Sequence, residues 1–175
     1  PECASILKEK LPERAGHIYT MPTGVLVPNT LARSWQQRPV RLVYGGRIVQ
    51  EQKRVLDLVP LVNDLRGRSV PFTLTVAGIG RQWDDLKAGI NACGASEYVH
   101  FTGRLAPEKM PRLWAGHDIF VQTSAYEGTS NSMLEAMAQG TVPVVTDTQS
   151  GVHGILEHGH NGLLVEVGDM AAMAD

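Results

Sequence analysis

From Val40 onward, short and nearly apolar runs alternate with stretches of helical spacing, and glycine stands at most of the junctions. Arg41-Leu-Val-Tyr44, Phe72-Thr-Leu-Thr-Val-Ala77, Tyr98-Val-His-Phe101, Ile119–Gln122, Val142-Pro-Val-Val145 and Leu163–Val165 read as strands. Between the first two, Val55, Leu58, Val59, Val62 and Leu65 recur mostly at spacings of three and four, which predicts a helix ended by Gly67. Pro60 falls inside that pattern, so either a kink or a late helix start is expected there. Further helices are expected from about Gln82 to Cys93, over Pro107–Trp114, before Gly140, near Gly154–His158 and after Asp169, the last one truncated. Strands apolar along their whole length are buried on both faces. Alternating with helices, they predict a doubly wound, Rossmann-like α/β domain around a parallel sheet.

Residues 1–38 have a different texture. Pro12, Pro22 and Pro28 punctuate them, Pro39 closes them, and only His17-Ile-Tyr-Thr-Met21 resembles a strand. The expected division is a linker or remnant over 1–38 and a domain over 39–175.

In a sheet of this kind the strand-to-helix turns share the carboxyl edge, where ligands bind. Three such turns carry glycine: Gly45-Gly46, Gly78-Ile-Gly80 and Gly128. The dinucleotide fingerprint is absent, because Trp83 stands where G-x-G-x-x-G needs its third glycine. No phosphate loop ending in Gly-Lys-Ser/Thr occurs either. Arg47 and Lys53 follow the first turn, and a guanidinium and an ammonium there suit phosphate oxygens. The other reading is a pair of solvated surface charges. Around the third turn, Glu127 and Glu135 bracket small residues leading into a helix, whose N-terminal dipole and N–H groups favour an anion. On spacing alone Ser132-Met-Leu-Glu135 also fits a capping box and Glu127 a loop acid.

Composition excludes several classes. With 175 residues, 19% charged and a net charge of −2, no basic field points to nucleic acid. Cys3 and Cys93 lack metal spacing and do not make a disulfide framework. His158-Gly-His160 reads as a loop pair, and His100, His117 and His153 as surface or core residues, so no metal site is expected. No apolar run nears the roughly 18 residues of a membrane span. No signal peptide is visible, but the first residue is Pro1, which leaves a lost targeting segment open.

Taken in order, Tyr44-Gly-Gly-Arg-Ile-Val-Gln-Glu-Gln-Lys53, Val76-Ala-Gly-Ile-Gly80, Val99-His-Phe-Thr-Gly103, Asp118-Ile-Phe-Val-Gln-Thr-Ser124, Glu127-x7-Glu135 and Glu157-His-Gly-His-Asn-Gly-Leu-Leu-Val165 resemble one family. It is the GT-B retaining glycosyltransferases of the family 4 type (group 1 glycosyltransferases), in their C-terminal, donor-binding half. The resemblance implies that Arg47 and Lys53 hold a donor diphosphate, Glu127 contacts the donor sugar and Glu135 the ribose hydroxyls. It implies that Gly46 and the turn Gly128, Thr129, Ser130 and Asn131 meet the sugar and phosphate. The base would lie near Gly78, Gly80, Arg104 and Leu105. It further implies a nucleotide-diphosphate sugar as donor with no metal or other cofactor, and an acceptor glycan or lipid bound through an N-terminal domain. Polysaccharide or glycolipid assembly in the cytoplasm, at the inner face of a membrane, would follow. The competing reading is a nucleotide-sugar-binding module without catalysis. Two departures stand out: Arg54 follows the lysine where the family often has glycine, and the middle turn is Gly-Thr-Ser-Asn.

Overall fold

Each apolar run becomes a strand because residues of alternate parity drop into cores on opposite faces of one sheet. Along β1 (Val40–Gly45), Leu42 and Tyr44 enter one buried cluster while Val43 enters the other. The same alternation separates Val121 from Phe120 on β4 (Ile119–Gln122) and Val144 from Val145 on β5 (Val142–Thr146). With β2 (Phe72–Ala77), β3 (Val99–Gly103) and β6 (Leu163–Val165) they form a six-stranded sheet in the order β3-β2-β1-β4-β5-β6. Every pairing is parallel. This computed structural model describes residues 2–21, 23–29, 31, 39–69, 71–149 and 151–175.

One face is covered by α2 (Leu58–Gly67), α3 (Trp83–Ala92) and α6 (Met170–Ala174), through Leu58, Leu61, Val62, Leu65, Leu86, Ile90, Met170 and Met173. The other is covered by α4 (Met110–Ala115) and α5 (Asn131–Ala138), through Trp114, Met133 and Ala136. Pro60 sits in the first turn of α2, behind a 3-10 turn over Val55–Asp57, so the α-helix starts late, where a proline is tolerated. Chain order reverses between β1 and β4, the switch point where such sheets bind ligands at their carboxyl ends. At the opposite end the Arg41 guanidinium fastens these two strands, with Nε 3.0 Å from Asp118 Oδ2 and Nη2 2.9 Å from Oδ1.

Three expectations need correcting. His17–Met21 is not a strand: the segment holds α1 (Glu2–Lys10) and a 3-10 turn over Pro12–His17, and residues 18–21 are irregular. An alternating run with no neighbouring strand to pair with has no ladder to join. The expected helix near Gly154–His158 is a 3-10 turn over Gly151–Gly154. Tyr98 precedes β3 in another 3-10 turn, its ring stacked 5.2 Å from that of Phe72. Pro22 and residues 32–38 of the expected linker lie outside the described residues. Among the described residues no helix is long and apolar enough to cross a membrane.

Candidate functional site

Two loops meet over the switch point, one from β1 to α2 and one from β4 to α5. Backbone and side-chain bonds stitch them together. Ala125 N donates to Gln52 O at 2.8 Å, and the buried Thr123 hydroxyl reaches Lys53 O at 2.8 Å and Arg54 O at 3.1 Å. Gln52 donates from its side-chain amide to Tyr126 O at 3.3 Å and accepts from the Arg47 guanidinium. Beneath the first loop the Tyr44 hydroxyl donates to Arg47 O at 2.8 Å. Burial pushes that phenol well above its usual pKa, the Glu127 charge adds to the rise, and Arg47 opposes it.

Between the loops lies an open cleft of about 300 Å³. Gly46, Arg47 and Lys53 line it from the first loop, and Glu127, Thr129, Ser130 and Asn131 from the second. All seven are residues singled out from the sequence. Gln52 and Ser132 line it as well, and neither is among the expected donor contacts. Nothing in a glutamine beside a lysine marks it, because its role depends on a loop 74 residues away. The resemblance gave Lys53 and Glu127 separate duties, but the fold puts them in contact. Nζ lies 2.5 Å from Oε1, with the lysine side chain 17% and the glutamate 9% exposed. Ser124 Oγ donates to the same carboxylate oxygen at 2.7 Å. Arg47 stays exposed at the mouth.

Asn131 and Ser132 open α5, so the helix's N-terminal dipole faces the cleft. Its cap is Ser130, whose Oγ accepts from Met133 N at 3.4 Å and donates to Gln122 Oε1 at 2.5 Å. The capping box read into Ser132 and Glu135 therefore does not form. Glu135 instead accepts from the Trp114 indole at 3.2 Å and is not part of the cleft lining.

The structure also keeps Gly78, Gly80, Arg104, Leu105 and Gly128 off the lining. It gives the first two glycines a packing duty. Gly78 has φ +146°, and a Cβ there would lie 1.8 Å from Gly46 O; one on Gly80 would lie 2.1 Å from Ile48 O. The second turn thus abuts the backbone of the first, joined by Ile48 N to Ile79 O at 3.0 Å and Gln82 N to Ile48 O at 3.1 Å. Arg104 and Leu105 follow β3, two strands from β1, with Arg104 exposed and Leu105 half-buried. Gly128 is exposed, and its carbonyl leaves no room for a Cβ on Gly151.

Arg54 shows why glycine would suit its position. Its φ of 46° and ψ of 42° are left-handed, a conformation glycine adopts without strain. The guanidinium is held by Asp57 Oδ2, 2.7 Å from Nε. His158 Nδ1 accepts from Leu164 N at 3.0 Å, a structural bond. Among the described residues no three His, Cys, Asp or Glu side chains sit together as a metal site would require.

Known proteins resemble this chain in sequence and in fold. The chain is 36% identical over 129 residues to the lipopolysaccharide core biosynthesis glycosyltransferase LpsE of Rhizobium meliloti, covering 74% of this chain and 36% of that protein. It is 34% identical over 138 residues to the 2-deoxystreptamine N-acetyl-D-glucosaminyltransferase of Streptomyces fradiae, covering 78% and 32% respectively. The chain thus spans about a third of the length of these relatives. Among solved structures, the apo lipopolysaccharide outer core galactosyltransferase WaaB superposes with a TM-score of 0.77 at 25% identity, over 96% of this chain and 48% of that one. The pneumococcal O-GlcNAc transferase GtfA, solved with UDP and GlcNAc, superposes with a TM-score of 0.79 at 23% identity, over 99% and 35%. These likenesses agree with the GT-B glycosyltransferase fold. The family of glycosyl transferases group 1 matches residues 39–175, and the chain belongs to it.

Proposed function

We propose that this domain binds the donor of a retaining, family 4 type glycosyltransferase, which moves a sugar from a nucleoside diphosphate to an acceptor hydroxyl. The observation that carries this reading is the convergence of Arg47, Lys53, Glu127 and the N-terminus of α5 on one cleft at the switch point. In the reaction the bond from the anomeric carbon to the β-phosphate oxygen breaks, and one from that carbon to the acceptor oxygen forms. Negative charge grows on the departing diphosphate. Arg47, the helix dipole and Lys53, once it leaves Glu127, would stabilise that charge as it develops, the electrostatic effect that is usually the largest in catalysis. The acceptor proton passes to the leaving phosphate. With two cations and a dipole at the diphosphate, the reading needs no divalent ion.

Glu127 would receive hydroxyl donors of the transferred sugar. Glu135 would turn from Trp114 to the ribose, and the base would lie toward Gly78, Gly80, Arg104 and Leu105. The acceptor, a glycan or lipid, would come from an N-terminal domain at the cytoplasmic face of a membrane. The relatives named for lipopolysaccharide core synthesis support polysaccharide or glycolipid assembly.

Calorimetric titration with UDP, GDP and ADP, with and without magnesium, tests the reading. Metal-independent binding of one nucleotide, weakened in Arg47→Ala, is the expected result. A chain that binds none of them defeats it. A whole protein that binds the sugar donor yet neither transfers nor hydrolyses the sugar would be a binding module instead.

A further inference from the structure

The cleft lined by two cations also contains a nearly buried carboxylate, and that carboxylate already occupies one of them. Lys53 Nζ lies 2.5 Å from Glu127 Oε1, and Ser124 Oγ holds the same oxygen at 2.7 Å. At 9% exposure Glu127 has little water to screen its charge. We infer that Glu127 is a counter-charge that discriminates against the bare nucleoside diphosphate and in favour of the sugar-bearing donor. The inference rests on the reading of the cleft as a diphosphate site.

The chemistry is a difference of charge and of hydrogen-bond donors. A free terminal phosphate loses a second proton with a pKa of about 6, so near neutral pH it carries one more negative charge than its sugar ester. To reach Lys53 it must displace Glu127 and then stand beside it, a like-charge contact. The ester carries the lesser charge and brings hydroxyl groups that donate to Glu127. The carboxylate therefore has something to bind when Lys53 turns to the phosphate. Spent nucleotide meets the same carboxylate with no donor to offer. The pair joins the two loops across 74 residues, and both of its members line the cleft.

Titration of the 175-residue chain with inorganic pyrophosphate, the three nucleoside diphosphates and their glucose esters tests this. Glu127→Gln should bind pyrophosphate and the preferred diphosphate at least about tenfold more tightly than the unmodified chain. Its affinity for the ester should stay level or fall, so the preference for donor over spent nucleotide shrinks or inverts. Lys53→Met should weaken every ligand, and adding Glu127→Gln to it should recover part of the loss for pyrophosphate and the diphosphate, because the like charge is gone, and less for the ester. Glu127→Asp, which draws the carboxylate back from Lys53 by one methylene without removing it, should move affinities in the same direction by less. It serves as the readout if Glu127→Gln does not fold. If nucleotide binds, Arg47→Ala weakens it and Glu127→Gln gains nothing, the discrimination is wrong and the diphosphate site stands. If no variant binds any of these ligands, both are wrong. Tight pyrophosphate binding seen only in Glu127→Gln supports the inference on its own.

Discussion

The indole N–H of Trp114 donates to Oε2 of Glu135 across 3.2 Å, tying α4 to α5 behind the cleft. The acid assigned to ribose binding thus has a partner within the domain itself, and that partner is neither a helix cap nor a cleft residue.

Glu135→Ala separates the two duties. Losing the indole bond should cost about 1 kcal/mol of stability. Losing a ribose contact should cost nucleotide affinity about tenfold, on the same scale for one hydrogen bond to a charged group. Urea melts and calorimetry read the two independently. Unchanged affinity would leave Glu135 as an acceptor for Trp114 alone.

Arg47→Ala and Lys53→Ala should both weaken nucleotide binding by about tenfold or more and reduce its salt sensitivity. Only the second should unsettle the fold. Removing Lys53 takes the adjacent cation from a carboxylate that is 9% exposed and keeps the Ser124 hydroxyl bond, at a cost of about 1–3 kcal/mol, less than for a fully buried pair. Arg47 is exposed, and its loss should stay within about 0.5 kcal/mol. Equal melting midpoints for the two variants would contradict this pairing.

The turns differ in what they tolerate. Gly78→Ala and Gly80→Ala each drive a methyl into backbone carbonyls at 1.8 and 2.1 Å and should destabilise by about 3 kcal/mol or more. Gly46→Ala meets nothing nearer than the Tyr44 hydroxyl at 3.4 Å, an ordinary contact, and its melting midpoint should barely move. Thermal unfolding of the three variants checks the order.

At Arg54, replacement by glycine removes left-handed strain of about 1 kcal/mol, but loses the Asp57 contact and adds freedom to the unfolded chain. The net change should lie within about 1 kcal/mol of zero. Arg54→Val keeps the strain and loses the contact, and its midpoint should fall clearly below that of the glycine variant.

Tyr44 predicts an alkaline limit. Its folded pKa is raised above the unfolded value of about 10, so its share of stability is complete below that pH. That share is lost as pH rises toward the folded value. Tyr44→Phe should lose about 1 kcal/mol at neutral pH with the Arg47 carbonyl bond, then decline less steeply above pH 10. Parallel alkaline slopes in the two proteins would show that another group sets the limit.

Most of the fold was legible because its strands are apolar on both faces. Phe72–Ala77, Ile119–Gln122 and Leu163–Val165 were bounded to the residue. His17–Met21 had the alternation of a strand but no neighbour to pair with, which no local pattern reveals. The cap of α5 was misplaced for a related reason. Ser130 and Ser132 are equally good caps in sequence, and the bond from Ser130 to Gln122 decides between them. At the site, the glycine turns and their charges could be read from residue types. The stitching through Gln52 and Thr123 could not, since each bond needs both loops in place.

Trp114 has an optical consequence. Its ring occupies the space that a side chain on Gly45 would need, 2.1 Å from where that Cβ would sit, while its N–H holds Glu135. If a nucleotide draws Glu135 away, the indole loses its charged neighbour without leaving its apolar seat, and its emission should change in energy and yield. With Trp35 and Trp83 replaced by phenylalanine, the domain would report its own occupancy, unlabelled, in a fluorimeter.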